Sequence, residues 1–210
     1  MSRPSDATHA PPGAEPAHLE RTALKEWAVL CDAMAAGEIV AMVRKGGIRE
    51  QRAGFGVRHG RFLLYPTFFH EKGAELQARF RDRLAASHAG QPEPGTIRVG
   101  LVADVAGVWA VDDLARLRAV EPAHGLAWPA VESRFHYRGR PGVQVVAVRV
   151  ARLPAPVVVP EARRYLGCVS WVSLDAPVDV GDAEPVLDDA GFAARLAALR
   201  AALGAPADPR

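Results

Sequence analysis

The sequence predicts an α+β fold in which helices pack around a mixed, mainly antiparallel sheet or a small β-barrel. Three observations lead to this fold class. About five apolar segments have the length and composition of strands, and five or six others have helical spacing. These strands and helices do not alternate strictly, and no repeat of fixed period runs through the chain. The last segment with helical spacing predicts a C-terminal helix.

The two ends of the chain differ in composition from its middle. Residues 1–20 are rich in Pro and Ala and contain little that a core could bury, which predicts a disordered tail. A single α+β domain is expected over residues 21–204, with a second disordered tail at residues 205–210. A chain of 210 residues is long enough to bury a sizeable core without metals or disulfides.

The first half of the domain is expected to contain two helices and two strands. They are expected at residues 22–36 (helix), 38–43 and 61–67 (strands) and 71–86 (helix). Leu24, Trp27 and Cys31 lie on one face of a 3.6-residue period, and Gly37 supplies the stop of the first helix. Pro66 marks the end of the second strand, because proline cannot donate a hydrogen bond to a sheet.

The second half of the domain is expected to contain three strands and three helices. They are expected at residues 96–109 (strand), 111–120 and 128–135 (helices), 143–153 and 167–174 (strands) and 188–204 (helix). Asp112 and Asp113 lie where the dipole of the first of these helices favours negative charge. Pro129 lies early in the next helix, where its missing N–H costs little. The prolines of residues 154–161 keep that segment extended.

The cellular location is inferred from targeting signals and cysteine content. No apolar run approaches the roughly 20 residues that span a bilayer, and the N-terminus has no apolar region typical of a secretory signal. The two cysteines, Cys31 and Cys168, do not make a disulfide framework. A cytoplasmic protein without membrane contact is therefore expected.

The stretch RKGGIRE at residues 44–50 follows the apolar run IVAMV and raises the question of a phosphate site. It is not a P-loop, because its lysine precedes two adjacent glycines instead of following a spaced pair.

No G-x-G-x-x-G follows a strand, and no C-x-x-C or G-x-S-x-G occurs. His70 and Glu71 lack the second histidine of a zinc protease motif, since Ala74 occupies its position. None of the three lysines completes the Asp…Asp/Glu-x-Lys pattern of a metal-dependent nuclease. No cofactor and no metal are therefore expected.

Positive charge is concentrated in two segments, although the whole chain carries only +2. Between residues 44 and 61 there are six lysine or arginine side chains and His59, against Glu50 alone. The second segment, ESRFHYRGRPG at residues 132–142, carries three arginines among Phe, His and Tyr. Single-stranded nucleic acid requires cations for its phosphates and aromatic faces for its bases. An alternative stays open, in which the aromatic residues belong to the core and the arginines are solvated or ion-paired.

Four stretches, LKEWAVLCDAMAAGE, IVAMVRKGGIRE, FLLYPTFFHEK and YLGCVSWVSL, follow one another between about Leu24 and Leu174. In combination they resemble a bacterial family, the domain of unknown function 1802 family. The chain departs from the family pattern at Glu71, where a Gln usually follows the His. The resemblance implies no established activity. Its occasional link with restriction-type nuclease domains implies a nucleic-acid context and a nuclease partner protein, and the arrangement of elements resembles PUA-like barrels that bind RNA or modified DNA bases.

The favoured hypothesis is a nucleic-acid-binding module, with DNA or RNA as its partner, that reads flipped or modified bases. The candidate anion- or nucleic-acid-binding residues are Arg44, Lys45, Gly46, Gly47, Arg49, Tyr65, Thr67, His70, Arg134 and Trp171. In this hypothesis the cations at positions 44, 45 and 49 contact phosphate, and the two glycines let main-chain amides approach it. Tyr65, His70 or Trp171 stacks on a base or hydrogen-bonds to it.

The alternative hypothesis is an enzyme, either a divergent metal-dependent nuclease or a small-molecule hydrolase. Its candidate acid–base or metal groups are His70, Glu71, Asp104 and Glu132. They have no recognisable spacing, so no catalytic residue is assigned and binding is favoured over catalysis. A third hypothesis is an adaptor whose partner supplies the chemistry. Convergence of the basic residues on one concave face favours binding, whereas scattering into separate ion pairs favours a structural role.

Overall fold

A computed structural model describes residues 18–45, 59–167 and 169–207 of the chain, so residues 1–17 of the first predicted tail and 208–210 of the second lie outside it. Seven strands form one sheet: β1 (Leu19–Trp27), β2 (Ala41–Arg44), β3 (Arg61–Thr67), β4 (Thr96–Val111), β5 (Val143–Pro160), β6 (Trp171–Asp179) and β7 (Glu184–Pro185). The strand order is β2-β5-β4-β3-β1-β6, with β7 paired to β5 beside this path. Each of these pairings is antiparallel except that of β1 with β3. The expected mixed, mainly antiparallel sheet is confirmed.

Six helices accompany the sheet in the described residues: α1 (Ala28–Ala35), α2 (Ala78–Arg81), α3 (Leu84–Ala89), α4 (Leu114–Ala119), α5 (Trp128–Phe135) and α6 (Asp189–Leu203). The predicted helix at residues 128–135 is confirmed residue for residue as α5, and the C-terminal helix is present as α6. The Asp188 carboxylate caps α6 by accepting a hydrogen bond from the Gly191 main-chain N–H at 2.7 Å. None of these six helices has the length and apolar character needed to cross a membrane.

The first predicted helix, expected over residues 22–36, is corrected by the structure. Only α1 within it is helical, and the residues before α1 form β1, between β3 and β6. Ala23 and Leu24 are both fully buried, one in the core on each face of the sheet. A strand buried on both faces loses the apolar–polar alternation that identifies strands in a sequence. β1 also begins at Leu19, ahead of the predicted domain start at residue 21.

The second predicted helix, over residues 71–86, is broken into short pieces. Gly73–Glu75 form a 3-10 turn, and α2 and α3 follow as separate helices of 4 and 6 residues. The break has a tertiary cause, because Leu76 forms a β-bridge with Leu126, and the N–H of Gln77 donates to the Gly125 carbonyl at 2.9 Å. These hydrogen bonds require extended backbone at residues 76 and 77, which excludes a continuous helix.

The sheet curls until β2, at one edge, approaches β1, the strand next to the opposite edge. In the strand order, β5, β4 and β3 separate β2 from β1, and four strand spacings would place β2 and β1 about 19 Å apart in a flat sheet. The Arg44 side chain nevertheless reaches β1, with Nη1 3.1 Å from Glu26 Oε2. The register shifts in the β4–β5 ladder, at residues 99–101 and 105–107, are bulges that bend the sheet. The sheet is therefore strongly curved, although in the described residues its outer strands β2 and β6 do not pair with each other to close a barrel.

The sheet divides the apolar core into two clusters. The larger cluster lies between the sheet and the helices, and includes Val29, Leu117 and Leu199 from α1, α4 and α6. The smaller cluster lies on the opposite face and includes Tyr65 and Tyr165. Because successive residues of a strand point to opposite faces, neighbours on β1 and β3 take part in different clusters.

Candidate functional site

Three strands end on one side of the sheet, and their last residues form the candidate site. Glu26 and Trp27 end β1, Arg44 ends β2, and Pro66 and Thr67 end β3. The parallel register places Glu26 opposite Pro66 and Trp27 opposite Thr67. The curl of the sheet adds Arg44 to this group through its hydrogen bond to Glu26. The predicted site residues Arg44 and Thr67 therefore lie at the same side of the sheet.

A buried carboxylate, that of Glu26, interacts with two arginines; the three residues are called the Glu26 cluster below. Glu26 is 6% exposed, and its Oε2 is 3.1 Å from Arg44 Nη1. Arg134 arrives from α5, where its Nη1 donates to the Val43 carbonyl at 2.9 Å and its guanidinium carbon is 5.6 Å from the centroid of the Trp27 ring. Burial lowers the pKa of Arg134, Glu26 raises it, and Arg44 lowers it again. The cluster contains two cations for one acid, so it carries net positive charge.

Lys45 ties the end of β2 to the segment that follows α5. Its Nζ donates to the Phe135 carbonyl at 3.1 Å and also to the carbonyls of Arg140 and Gly142. An ammonium group has three N–H donors, so these three acceptors use all of them. Burial lowers the pKa of Lys45, and the nearby Arg140 lowers it further. Lys45 therefore joins two segments, a different role from the phosphate contact that the sequence predicts for it.

The segment held by Lys45, residues 136–142, is called the basic turn below. His136, Tyr137, Arg138 and Arg140 in this turn are all exposed. The Arg138 guanidinium carbon is 5.1 Å from the centroid of the Tyr137 ring. Arg138 has a φ of 58°, in the left-handed region that residues other than glycine adopt only with support from their surroundings. The hydrogen bonds of Lys45 supply such support, and the turn presents two arginines and an aromatic ring to solvent.

Three of the predicted site residues, Gly46, Gly47 and Arg49, lie outside the described residues. They belong to the segment 46–58, which follows Lys45 and precedes His59 in the chain. The structure describes the two residues that flank this segment in the chain, with Lys45 hydrogen-bonded to the basic turn and the His59 ring 5.1 Å from that of Trp171.

Trp171, predicted to contact a base, is partly buried at the start of β6. Its ring meets Phe62 edge-on, with 5.1 Å between centroids, and is tilted against His59 at the same distance. Trp171 also packs against the larger core cluster. Its position therefore anchors the chain just before β3.

Two further predicted residues, Tyr65 and His70, lie apart from the Glu26 cluster. Tyr65 is 2% exposed in the smaller core cluster, on the opposite face of the sheet, and its hydroxyl donates to the Glu161 carboxylate. Burial and this hydrogen bond raise the pKa of Tyr65. His70 is exposed in the turn after β3, with a φ of 61°. The Tyr65 ring therefore lies across the sheet from the Glu26 cluster, with Lys25 Nζ 5.3 Å from its centroid.

Glu71, a candidate acid–base group of the enzyme hypothesis, makes structural contacts. Its side chain is fully buried, and Oε1 accepts a hydrogen bond from the Val29 N–H at 3.1 Å. Oε2 is 2.5 Å from Nε2 of His88. Because Val29 lies in the first turn of α1, Glu71 caps this helix where its dipole favours negative charge.

The remaining carboxylates of the enzyme hypothesis, Asp104 and Glu132, lie on β4 and α5. Asp104 accepts two hydrogen bonds from Arg61, at 2.7 and 3.1 Å. In the part of the chain that the structure describes, no group of three or more His, Cys, Asp or Glu side chains is arranged to hold a metal ion. Among the described residues, the metal-dependent form of the enzyme hypothesis therefore has no ligand set of this kind.

One member of the Glu26 cluster, Glu26 itself, was missed by the sequence-based prediction. It lies within LKEW, which was assigned to a helix, and a glutamate on a helix is normally solvent-exposed. Only the strand assignment of β1 and the curl of the sheet reveal that its carboxylate is enclosed. No local sequence signal marks it.

Comparison with known proteins gives three findings. A family model described as Domain of unknown function (DUF1802) matches residues 23–198. No curated protein matches the chain. Among solved structures, the chain is similar to a mutant of the ZmASCH protein from Zymomonas mobilis, with 12% sequence identity, 85% of this chain and 94% of that chain covered, and a TM-score of 0.44.

Proposed function

We propose, for a chain that belongs to the DUF1802 family of domains of unknown function, that the basic turn and segment 46–58, which follows Lys45 in the sequence, bind single-stranded nucleic acid. The observation that supports this proposal is the set of three hydrogen bonds from Lys45 to carbonyls at residues 135–142. They link two basic segments that are far apart in the sequence. The arginines that these segments contain are Arg49, Arg52, Arg58, Arg138 and Arg140.

The cations of this region divide into supports and ligand contacts. Arg44, Lys45 and Arg134 are supports, because their N–H groups bind Glu26 or main-chain carbonyls within the protein. Arg138 and Arg140 are exposed, and we assign them to phosphate contacts together with the arginines of segment 46–58. Phosphate contacts position a strand without reading its sequence.

Tyr137 is the aromatic group that is suited to receive a base. It is 41% exposed and lies beside the Arg138 guanidinium. Stacking on an aromatic ring accepts any base, because every base has a π-face. A base that is flipped out of a duplex is unpaired, whether or not it is modified, so the finer role of a base reader uses the same ring. Both DNA and RNA satisfy this chemistry.

The proposal is tested by fluorescence anisotropy with labelled single strands of DNA and RNA of about 20 nucleotides, between ~50 and ~200 mM salt. The association constant is expected to fall steeply as the salt concentration rises. A plot of the logarithm of this constant against the logarithm of the salt concentration is expected to have a slope of about −0.7 for each phosphate neutralised. The double variant Arg138→Gln/Arg140→Gln removes two phosphate contacts and is expected to reduce that slope by about 1.4.

Arg98→Gln is the matched control, because it removes an exposed arginine on β4, outside both basic segments. It is expected to bind like the parent protein. The proposal is contradicted if no strand binds at ~50 mM salt, or if the double variant and the control behave alike. A duplex with one mismatched base pair is expected to bind more tightly than the matched duplex if the finer role is correct.

A further inference from the structure

A groove outside the basic turn is lined by an unusual set of side chains. It has a volume of about 820 Å³ and lies between α2, α4 and the start of α5; it is called the α2–α4 groove below. Its lining includes Arg79, Arg81, Arg118, Glu121 and Trp128. The volume falls within the roughly 300–1,000 Å³ typical of small-molecule sites.

The charge of the groove favours an anion. Three arginines face one acid, Glu121, whose Oε2 is 3.1 Å from Arg118 Nη1 in a partly exposed pair of modest strength. Arg79 and Arg81 each donate to a main-chain carbonyl, at 3.0 and 3.1 Å. A guanidinium has five N–H donors in a planar fork, so these bonds orient each arginine and leave it further donors for an oxyanion.

The groove also contains a stack of two planar groups. The guanidinium carbon of Arg118 is 3.6 Å from the centroid of the Trp128 ring, a cation–π contact at stacking distance. A guanidinium held flat against a ring offers its outer face to another planar group, and bases of nucleic acids stack on arginine in this way. The groove thus combines an anion site with a surface for an aromatic ring.

The walls of the groove are fixed by the side chain of Gln77. The two N–H groups of its Nε2 donate to the carbonyls of Glu121 and His124, both at 2.8 Å, and the Leu126 carbonyl shares one of them at 3.3 Å. The Leu76–Leu126 bridge adds a main-chain link between the same segments. A groove whose walls are joined in this way needs little reorganisation when a ligand binds, which favours affinity.

From these observations we propose that the α2–α4 groove binds a nucleoside phosphate. Its phosphate contacts Arg79 and Arg81, and its base stacks on the Arg118–Trp128 pair. The source is either a free nucleotide or one nucleotide of a longer strand. α5 runs from Trp128 in the groove to Phe135 beside the basic turn, about 10 Å along a helix. The proposal concerns a separate site and does not depend on the basic turn.

The test is a titration of the full chain with AMP, followed by NMR of the indole N–H signals of the four tryptophans. Trp128→Phe identifies the signal of Trp128 by removing it. AMP is expected to shift this signal. Adenosine has the base without the phosphate, and inorganic phosphate has no base, so each of them is expected to bind at least ~10-fold more weakly than AMP. The double variant Arg79→Gln/Arg81→Gln is expected to weaken AMP binding at least ~10-fold.

Arg98→Gln serves again as the control that removes an exposed arginine outside the groove, and it is expected to bind AMP normally. Both substituted arginines of the groove are exposed, and unchanged signals from the other tryptophans verify that the variant is folded. Arg138→Gln/Arg140→Gln is expected to leave AMP binding unchanged, which separates a failure of this proposal from a failure of the basic turn.

The outcomes distinguish the two sources of the ligand. A Trp128 shift that is caused by an oligonucleotide but not by AMP, and that depends on Arg79 and Arg81, supports the site and assigns it to a nucleotide within a strand. The proposal is overturned if neither ligand moves the Trp128 signal, with AMP raised to ~10 mM. It is also overturned if phosphate alone binds as tightly as AMP, or if the groove variant binds like the control.

Discussion

The ammonium group of Lys45 lies 3.1 Å from the carbonyl oxygen of Phe135, a residue 90 positions further along the chain. This contact joins the end of β2 to the end of α5, and two more hydrogen bonds extend it to the carbonyls of Arg140 and Gly142. The basic turn therefore owes its position to a residue that lies outside it. A substitution at Lys45 therefore tests what holds the basic turn in place and leaves the arginines of the turn unchanged.

Lys45→Met is expected to destabilise the protein by about 1.5 kcal/mol, because it removes a charged donor from three main-chain carbonyls, of which those of Phe135 and Gly142 are in partly buried contacts. Urea unfolding measures the loss, and amide hydrogen exchange in residues 136–142 is expected to become faster. Lys72→Met is the matched control, since the Lys72 side chain is 66% exposed and its i,i+3 pair contributes less than about 0.5 kcal/mol. Equal stability of the two variants would contradict the role assigned to Lys45.

Glu26→Gln is expected to destabilise the protein by about 3 kcal/mol or more, because it leaves the charge of Arg44 enclosed without its acid. Asp104→Asn breaks an exposed pair, in which both side chains are 45% exposed, and is expected to cost less than about 1 kcal/mol. The double variant Glu26→Gln/Arg44→Met is expected to be more stable than the sum of the single losses predicts, by at least about 0.5 kcal/mol. Additive losses in denaturant unfolding would show that the two residues do not interact.

His124 is expected to make the stability depend on pH. It is 1% exposed, and burial, with smaller contributions from Arg134 and Arg79, lowers its pKa to about 4. In the unfolded chain a histidine titrates near ~6.5. As the pH falls below this value, the unfolded state takes up the proton first, so the native state loses stability down to about pH 4.

The expected loss from His124 between pH 7 and pH 5 is about 2 kcal/mol. Urea unfolding at both pH values measures it, and His124→Asn, which keeps an acceptor for the Leu126 N–H now bound at 3.2 Å, is expected to remove this part of the pH dependence. If the variant loses as much stability as the parent protein over this range, another group is responsible.

Gly125→Ala is expected to destabilise the protein by about 1–3 kcal/mol through overpacking. A Cβ at this position would lie 2.3 Å from Cδ2 of Leu30 on α1. Gly60→Ala is the control, because a Cβ there meets no atom within 4 Å, and it is expected to change the stability by less than about 0.5 kcal/mol. Thermal unfolding compares the two, and a second substitution, Leu30→Val, is expected to restore part of the loss in the Gly125 variant.

Parts of the fold were predictable because their signals are local. The runs that became β4 and β5 are long and apolar, and α5 has a proline near its start and follows helical spacing. β1 was predicted as a helix because it is buried on both faces, a condition set by β3 and β6. The helix expected at residues 71–86 is broken by the partners of Leu76 and Gln77, which lie about fifty residues further along the chain.

The candidate site was predictable in composition but not in geometry. The two basic segments are visible in the sequence because charge and aromatic content are properties of short stretches. Their link through Lys45 was not visible, since its acceptors are main-chain carbonyls, which every residue possesses. The role of Gln77 in joining the walls of the α2–α4 groove could not be recognised in the sequence for the same reason, because its contacts are also main-chain carbonyls.

The position of β1 within the sheet has a consequence for biosynthesis. Leu24 pairs with Leu64 of β3 on one side and with Trp171 of β6 on the other. Because a ribosome releases the chain from its N-terminus, β1 emerges long before β6 exists, and one edge of β1 stays open until β6 has been synthesised. Although β1 comes first among the described strands, it is enclosed on both sides only when β6 pairs with it, and until then its open edge is available for pairing with other chains.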